Sequence, residues 1–162
     1  LGVLHAVRGV GTGIGPIVAD RLIASSAKPT LARSTALRVA HLVAIVGYAL
    51  FVLVDQNPAL ALLAMLLWGA GAGANWVVST ARIQELSPPE VVGRMVALDE
   101  LAMIGAMCGS VLAAGLMIDA GISAVMTGWI WVVTGAVASA ALFASSRAAT
   151  SVATDDHSRT VV

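Results

Sequence analysis

Five apolar stretches divide this chain, and eight of its nine Lys and Arg residues fall in alternate gaps between them. Arg21, Lys28, Arg33 and Arg38 follow the first stretch, Arg82 and Arg94 the third, and Arg147 and Arg159 the fifth. The gaps after the second and fourth hold neither residue type. Cytoplasmic loops of membrane proteins retain Lys and Arg while translocated loops lose them, so the alternation predicts both the spans and their orientation. The expectation is a multi-pass protein of the cell (inner) membrane that begins outside and carries its C-terminus in the cytoplasm.

Composition leads to the same class. With 59% hydrophobic and 11% charged residues and a mean hydropathy of +0.93, the chain has too few polar groups to cover a water-soluble surface. A spanning helix needs about 20 mostly apolar residues. The predicted fold is all-α, with transmembrane helices at about 1–20, 37–55, 58–81, 100–118 and 123–146. Continuous apolar runs favour helices over barrel strands, which alternate. Residues 147–162, rich in Ser, Thr and Asp, are expected to form a disordered cytoplasmic tail. Because the chain opens on Leu1 inside an apolar run, further sequence is expected upstream. The lipid bilayer is the implied partner, and no nucleic-acid footprint exists. The single cysteine, Cys108, can form no disulfide within the chain and is expected to pack as a small apolar residue.

The connections carry local signals. Asp55-Gln56-Asn57-Pro58 reads as a tight turn with Pro58 in the first turn of the next helix. In the fourth gap Gly121 is expected to end one helix and Ser123 to cap the next. The third gap runs Gln84-Glu85-Leu86-Ser87-Pro88-Pro89-Glu90-Val91-Val92-Gly93-Arg94. Glu90 and Arg94 stand at i and i+4, a spacing that permits a local ion pair on one helical turn.

That third gap, lying between two glycine-rich spans, resembles the loop between the tenth and eleventh helices of major facilitator superfamily transporters. It is most similar to bacterial exporters of the siderophore-efflux and transmembrane-effector type. Gly105, Gly109 and Gly115 extend the resemblance into the next span. Asp20-Arg21 matches part of the family's loop between helices eight and nine, although Leu22-Ile23 replaces its glycine and the basic pair is dispersed. The resemblance covers roughly residues 2–143 and implies helices eight to twelve of a twelve-helix carrier, most of its C-terminal bundle. The implied activity is alternating access, exporting a small amphipathic substrate in exchange for protons, with no cofactor and with an N-terminal half upstream as partner. The loop residues Asp20, Arg21, Gln84, Glu90, Gly93 and Arg94 are the implied cytoplasmic gating elements. Glu85, Glu90 or Arg94 is expected to pair across the gap between the halves in one state and release in the other; the alternative is a solvated loop.

Ionisable groups at membrane depth cost roughly 2.5–3.5 kcal/mol at a helix centre, so each needs a partner or a wet cavity. His5, Arg8 and Thr12 form one polar stripe on the first helix by their spacing. Arg8 either contacts an anionic group or buried acid, or snorkels toward the outer headgroups. Asn75 and Ser79 share a face of the third helix and serve either substrate or interhelical hydrogen bonds. The resemblance implies that these five residues line the substrate cavity. Asp99 and Glu100 are candidates for proton coupling, or alternatively acidic residues favoured by the first turn of a helix. The resemblance places His41 and Tyr48, one heptad apart, on a peripheral helix, where they are expected to be packing or interface residues.

Glycines recur in small-xxx-small pairs, including Gly11 with Gly15, Gly69 with Gly73, and Gly105 with Gly109. Such pairs are expected at close helix contacts in lipid. An intramembrane enzyme would need a nucleophile with its base, or a metal cluster. His5 and His41 lie on different spans, Cys108 has no adjacent base, and neither an HExxH nor a GxSxG sequence occurs, so no catalytic or metal-binding residue is assigned. A non-transporting membrane subunit is the second alternative, since it shares the packing glycines.

Overall fold

The computed structural model describes residues 2–54 and 57–159. Five helices follow one another: α1 (Gly2–Ala24), α2 (Pro29–Leu53), α3 (Pro58–Leu86), α4 (Val92–Asp119) and α5 (Ala124–Arg159). There is no strand among the described residues. Four helices are long and apolar enough to cross a membrane, within Leu31–Leu53, Pro58–Leu86, Val92–Asp119 and Ala124–Ala141. The expected first span is not among them. At 23 residues α1 is long enough, but His5 and Arg8 and its glycines lower its hydropathy.

The helices stop where the local chemistry stops them. Asn57 caps α3, its Oδ1 accepting from the Ala59 and Leu60 amides at 3.1 and 3.2 Å, with Pro58 directly after it. The rest of that predicted turn, Asp55 and Gln56, lies outside the described residues. Gly121 follows α4 with φ +87°. Its amide donates to the Ile118 carbonyl and that of Ile122 to Met117, so the last carbonyls of α4 are satisfied by a Schellman turn. Ser123 Oγ then accepts from the Met126 amide at 3.2 Å and caps α5.

At the opposite end of the bundle the helices outrun their apolar windows. Arg33 and Arg38 lie within α2, Arg82 and Glu85 within α3, and Arg94, Asp99 and Glu100 within α4. Apolarity marks the reach of lipid, whereas helical hydrogen bonds continue until a proline or cap intervenes; Pro88 and Pro89 supply that stop after α3. The expected disordered tail is likewise helical as far as Arg159. Ala, the best helix former, recurs there, and neither Gly nor Pro occurs after Gly135. Residues 160–162 of that tail lie outside the described residues.

α3 is the centre of the packing, with α1 on one side and α2 on another. Its buried positions are nearly all small: Ala64, Met65, Gly69, Gly71, Gly73, Ala74 and Val78. Gly69 and Gly73 accept the backbone of Arg8 and Thr12 on α1, while Gly11 and Gly15 accept that of Leu66 and Ala70 in return. On the α2 side, a Cβ added at Gly71 would meet the Cα of Ala44 at 2.8 Å. The Thr12 carbonyl that rests on Gly73 has no helical amide partner, because Pro16 stands four residues on. The glycine Cα hydrogens therefore take up part of that unmet demand.

α1 and α2 touch each other little. Between them, over Ala70, Gly71 and Ala74, an apolar cleft of about 520 Å³ opens along Val18, Leu22, Leu31 and Val39. α5 leans on α2, where Gly128 meets Val52. α4 has no buried residue and presents Leu98, Leu101, Leu112 and Leu116 outward. Such a surface suits lipid or another helix and is foreign to water.

Candidate functional site

A second cavity of about 520 Å³ opens where all five helices converge. α1 contributes Arg8, α2 His41 and Tyr48, α3 Trp68, α4 Met107, Ser110 and Val111, and α5 Trp131. The close approach of α1 and α3 creates its floor. Because Gly69 packs against the Arg8 carbonyl, the Arg8 side chain and the adjacent Trp68 meet on the same side of the helix pair. The guanidinium carbon lies 4.2 Å from the Trp68 ring centroid. Tyr48 extends the aromatic wall, its ring 4.9 Å from that of Trp68 and tilted by 49°.

The electrostatics of this corner are unbalanced. A half-exposed cation–π contact supplies about 0.5–2 kcal/mol, against roughly 2.5–3.5 kcal/mol for holding a cation at the centre of a membrane helix. The ring offsets part of the cost and accepts no ordinary hydrogen bond. Among the described residues, Arg8 Nε is buried without a hydrogen-bond partner, and no Asp or Glu lines the cavity.

His41 Nδ1 stands 3.5 Å from Asn75 Oδ1, joining α2 to α3 beside the cavity. The His41 ring also meets Phe143 of α5 edge-on, with centroids 6.4 Å apart. Arg38 lies over that same phenyl ring at 5.5 Å. His41 is therefore shared among three helices, in keeping with the packing role expected of it, and also lines the cavity.

Of the predicted cavity stripe, Arg8 alone lines the space. His5 is exposed. The Thr12 hydroxyl donates back to the Arg8 carbonyl at 3.0 Å, and that of Ser79 to the Trp76 carbonyl at 2.9 Å. Both are satisfied by their own helices. Asn75 makes the interhelical contact to His41.

The predicted gating residues are spread over the charged end. Glu85 pairs with Arg33, joining α3 to α2 within this chain. Among the described residues Glu90 and Arg94 do not pair with each other. Glu90 lies in the turn that ends with the Val91 and Val92 amides on the Pro88 carbonyl, before α4 begins, so the helical spacing needed for the pair is not established. Asp20, Arg21, Gln84, Glu90, Gly93 and Arg94 are all exposed. Asp99 and Glu100 stand well inside α4, beyond its first turn, so the charge at the helix N-terminus does not account for them. Glu100 Oε1 accepts from the Trp76 indole at 3.2 Å and ties α4 to α3.

Gly11, Gly15, Gly69 and Gly73 all sit at backbone contacts. Gly105 and Gly109 meet nothing within 4 Å, and Cys108 between them is exposed. The packing expected of these three residues is absent because α4 stands apart from the α1–α3 core. Among the described residues no three His, Cys, Asp or Glu side chains come together as a metal site.

Sequence reasoning passed over Trp68 and Ser110 and gave Tyr48 only a packing role. The heptad spacing of His41 and Tyr48 was a usable signal, since it places both on one helix face. Trp68 carried no comparable mark, because an apolar residue beside a packing glycine is ordinary in a span. No family model, curated protein sequence or solved structure matches this chain.

Proposed function

We propose that this chain is most of the C-terminal bundle of a major facilitator-type secondary transporter, which moves a small amphipathic molecule across the inner membrane by alternating access. The observation that carries the reading is the open cavity lined by all five helices, with a half-buried arginine and aromatic walls in an otherwise apolar bundle. Intramembrane charge is retained where a substrate or ion passes. A purely structural subunit shares the glycine packing but leaves Arg8 unexplained.

In this reading a second bundle, encoded upstream, closes the cavity from the facing side, and the two rock about the shared site. Arg8, Tyr48 and Trp68 hold the substrate. Asp99 and Glu100 remain the candidate coupling carboxylates, and the Trp76 indole bond to Glu100 holds α4 to α3. The Arg33–Glu85 pair secures the cytoplasmic ends of α2 and α3.

Inverted vesicles from cells carrying the complete gene test the proposal. Amphipathic dyes should accumulate when a proton gradient is imposed and leave when an uncoupler collapses it. Gradient-independent dye behaviour across neutral, anionic and cationic members of the panel would refute the carrier reading.

A further inference from the structure

Arg8 is a half-buried cation whose Nε is enclosed with unused hydrogen-bonding capacity. A guanidinium carries five N–H donors and no acceptor. Here its Nε is enclosed without a partner, and the group against it is the Trp68 ring at 4.2 Å. None of the residues lining the space is an acid. Burying a charge without its counter-charge is strongly unfavourable, and removing one partner from a buried pair exposes that cost. Among the described residues the cavity therefore offers the half-buried Arg8 no counter-charge.

Its walls limit what can complete it. Tyr48 and Trp68 form a continuous aromatic surface, and Met107 and Val111 face it from α4. Flat apolar groups stack favourably on such rings, while carboxylate or phosphate oxygens suit the planar fork of a guanidinium. From this juxtaposition we propose that the cavity binds a small organic anion, its oxygens on Arg8 and its flat apolar body along Tyr48 and Trp68. The inference rests on the carrier reading for the ligand's route, whereas binding itself requires no transport.

Equilibrium dialysis of the intact protein in lipid nanodiscs, corrected with empty nanodiscs, tests it with three matched probes: 2-naphthoate, neutral 2-naphthamide and cationic 2-naphthylmethylammonium. Naphthoate should bind about tenfold or more tightly than naphthamide, as a charge-assisted contact implies, and the ammonium more weakly than either. Arg8→Gln should reduce naphthoate to the level of naphthamide, and Arg8→Lys should keep part of the preference. Equal binding of the three probes, no binding of any, or a naphthoate preference that survives Arg8→Gln would overturn the proposal. The last two outcomes would mean that Arg8 is neutralised by an acid from another segment or faces away from ligand. Should Arg8→Gln fail to fold, the probe ranking on the unaltered protein decides alone.

The two proposals fail separately. Gradient-driven movement of neutral or cationic dyes without naphthoate preference leaves the carrier and removes the anion. Naphthoate binding with no flux does the reverse.

Discussion

Replacing Gly73 with valine should separate α1 from α3, and the structure sets the size of the effect. A Cβ at Gly73 would lie 2.8 Å from the Thr12 Cα and 2.9 Å from its carbonyl carbon. Carbon atoms settle at roughly 3.5–4.0 Å, so α1 must retreat by about 1 Å along this contact. The colliding atoms belong to the backbone, and no rotamer change relieves them. Overpacking of this kind costs about 1–3 kcal/mol, and the two further methyl groups of valine place Gly73→Val toward the upper part of that range. The helix propensity gained on replacing glycine returns a few tenths, since valine ranks only modestly above glycine, roughly 0.3–0.5 kcal/mol. A net loss of about 2 kcal/mol remains, near thirtyfold in the folding equilibrium. Gly105→Val is the matched control, because nothing lies within 4 Å of that position, and it should change stability by no more than about 0.5 kcal/mol. Unfolding in mixed micelles by increasing dodecyl sulfate, followed by circular dichroism, measures both. Equal losses at Gly73 and Gly105, or none at Gly73, would refute the assignment of α1–α3 as the packed core.

Two smaller effects follow from the helix ends. The Arg33 and Glu85 side chains are 36% and 48% exposed, so a double-mutant cycle with alanine at each should give a coupling of about 0.2–1 kcal/mol that shrinks in high salt; zero coupling at low salt would mean that the pair does not hold α2 to α3. Gly121→Ala should cost about 1–2 kcal/mol in the same unfolding assay, because φ is +87° there and an L side chain is strained in that region; an unchanged midpoint would place the turn in another conformation.

The helical content and the caps were largely legible in advance. Asn57, Pro58, Gly121 and Ser123 act within a few residues of themselves, and their chemistry is the same wherever the helices go. The lengths were less legible. Charge marks where lipid ends, but α2, α3 and α4 continue past that point, and the Ala-rich segment after α5's apolar window remains helical as well. The site was legible only in part. Arg8 stood out because a cation in an apolar run has a cost that can be read from one residue. Thr12 and Ser79 looked equally available by spacing, yet each hydroxyl bonds its own helix.

Apolar runs, the alternation of Lys and Arg, and the capping residues thus determined from sequence that this is a bundle of helices suited to a membrane, and where its connections fall. These properties are contests between a short segment and its solvent, decided locally. The tertiary structure alone decided that α3 lies between α1 and α2, that α4 stands apart, and that Arg8 meets Trp68 while Gly105 meets nothing. Helix rotation and neighbour choice depend on which small residues on different helices face one another at backbone distance, and no single span contains that information.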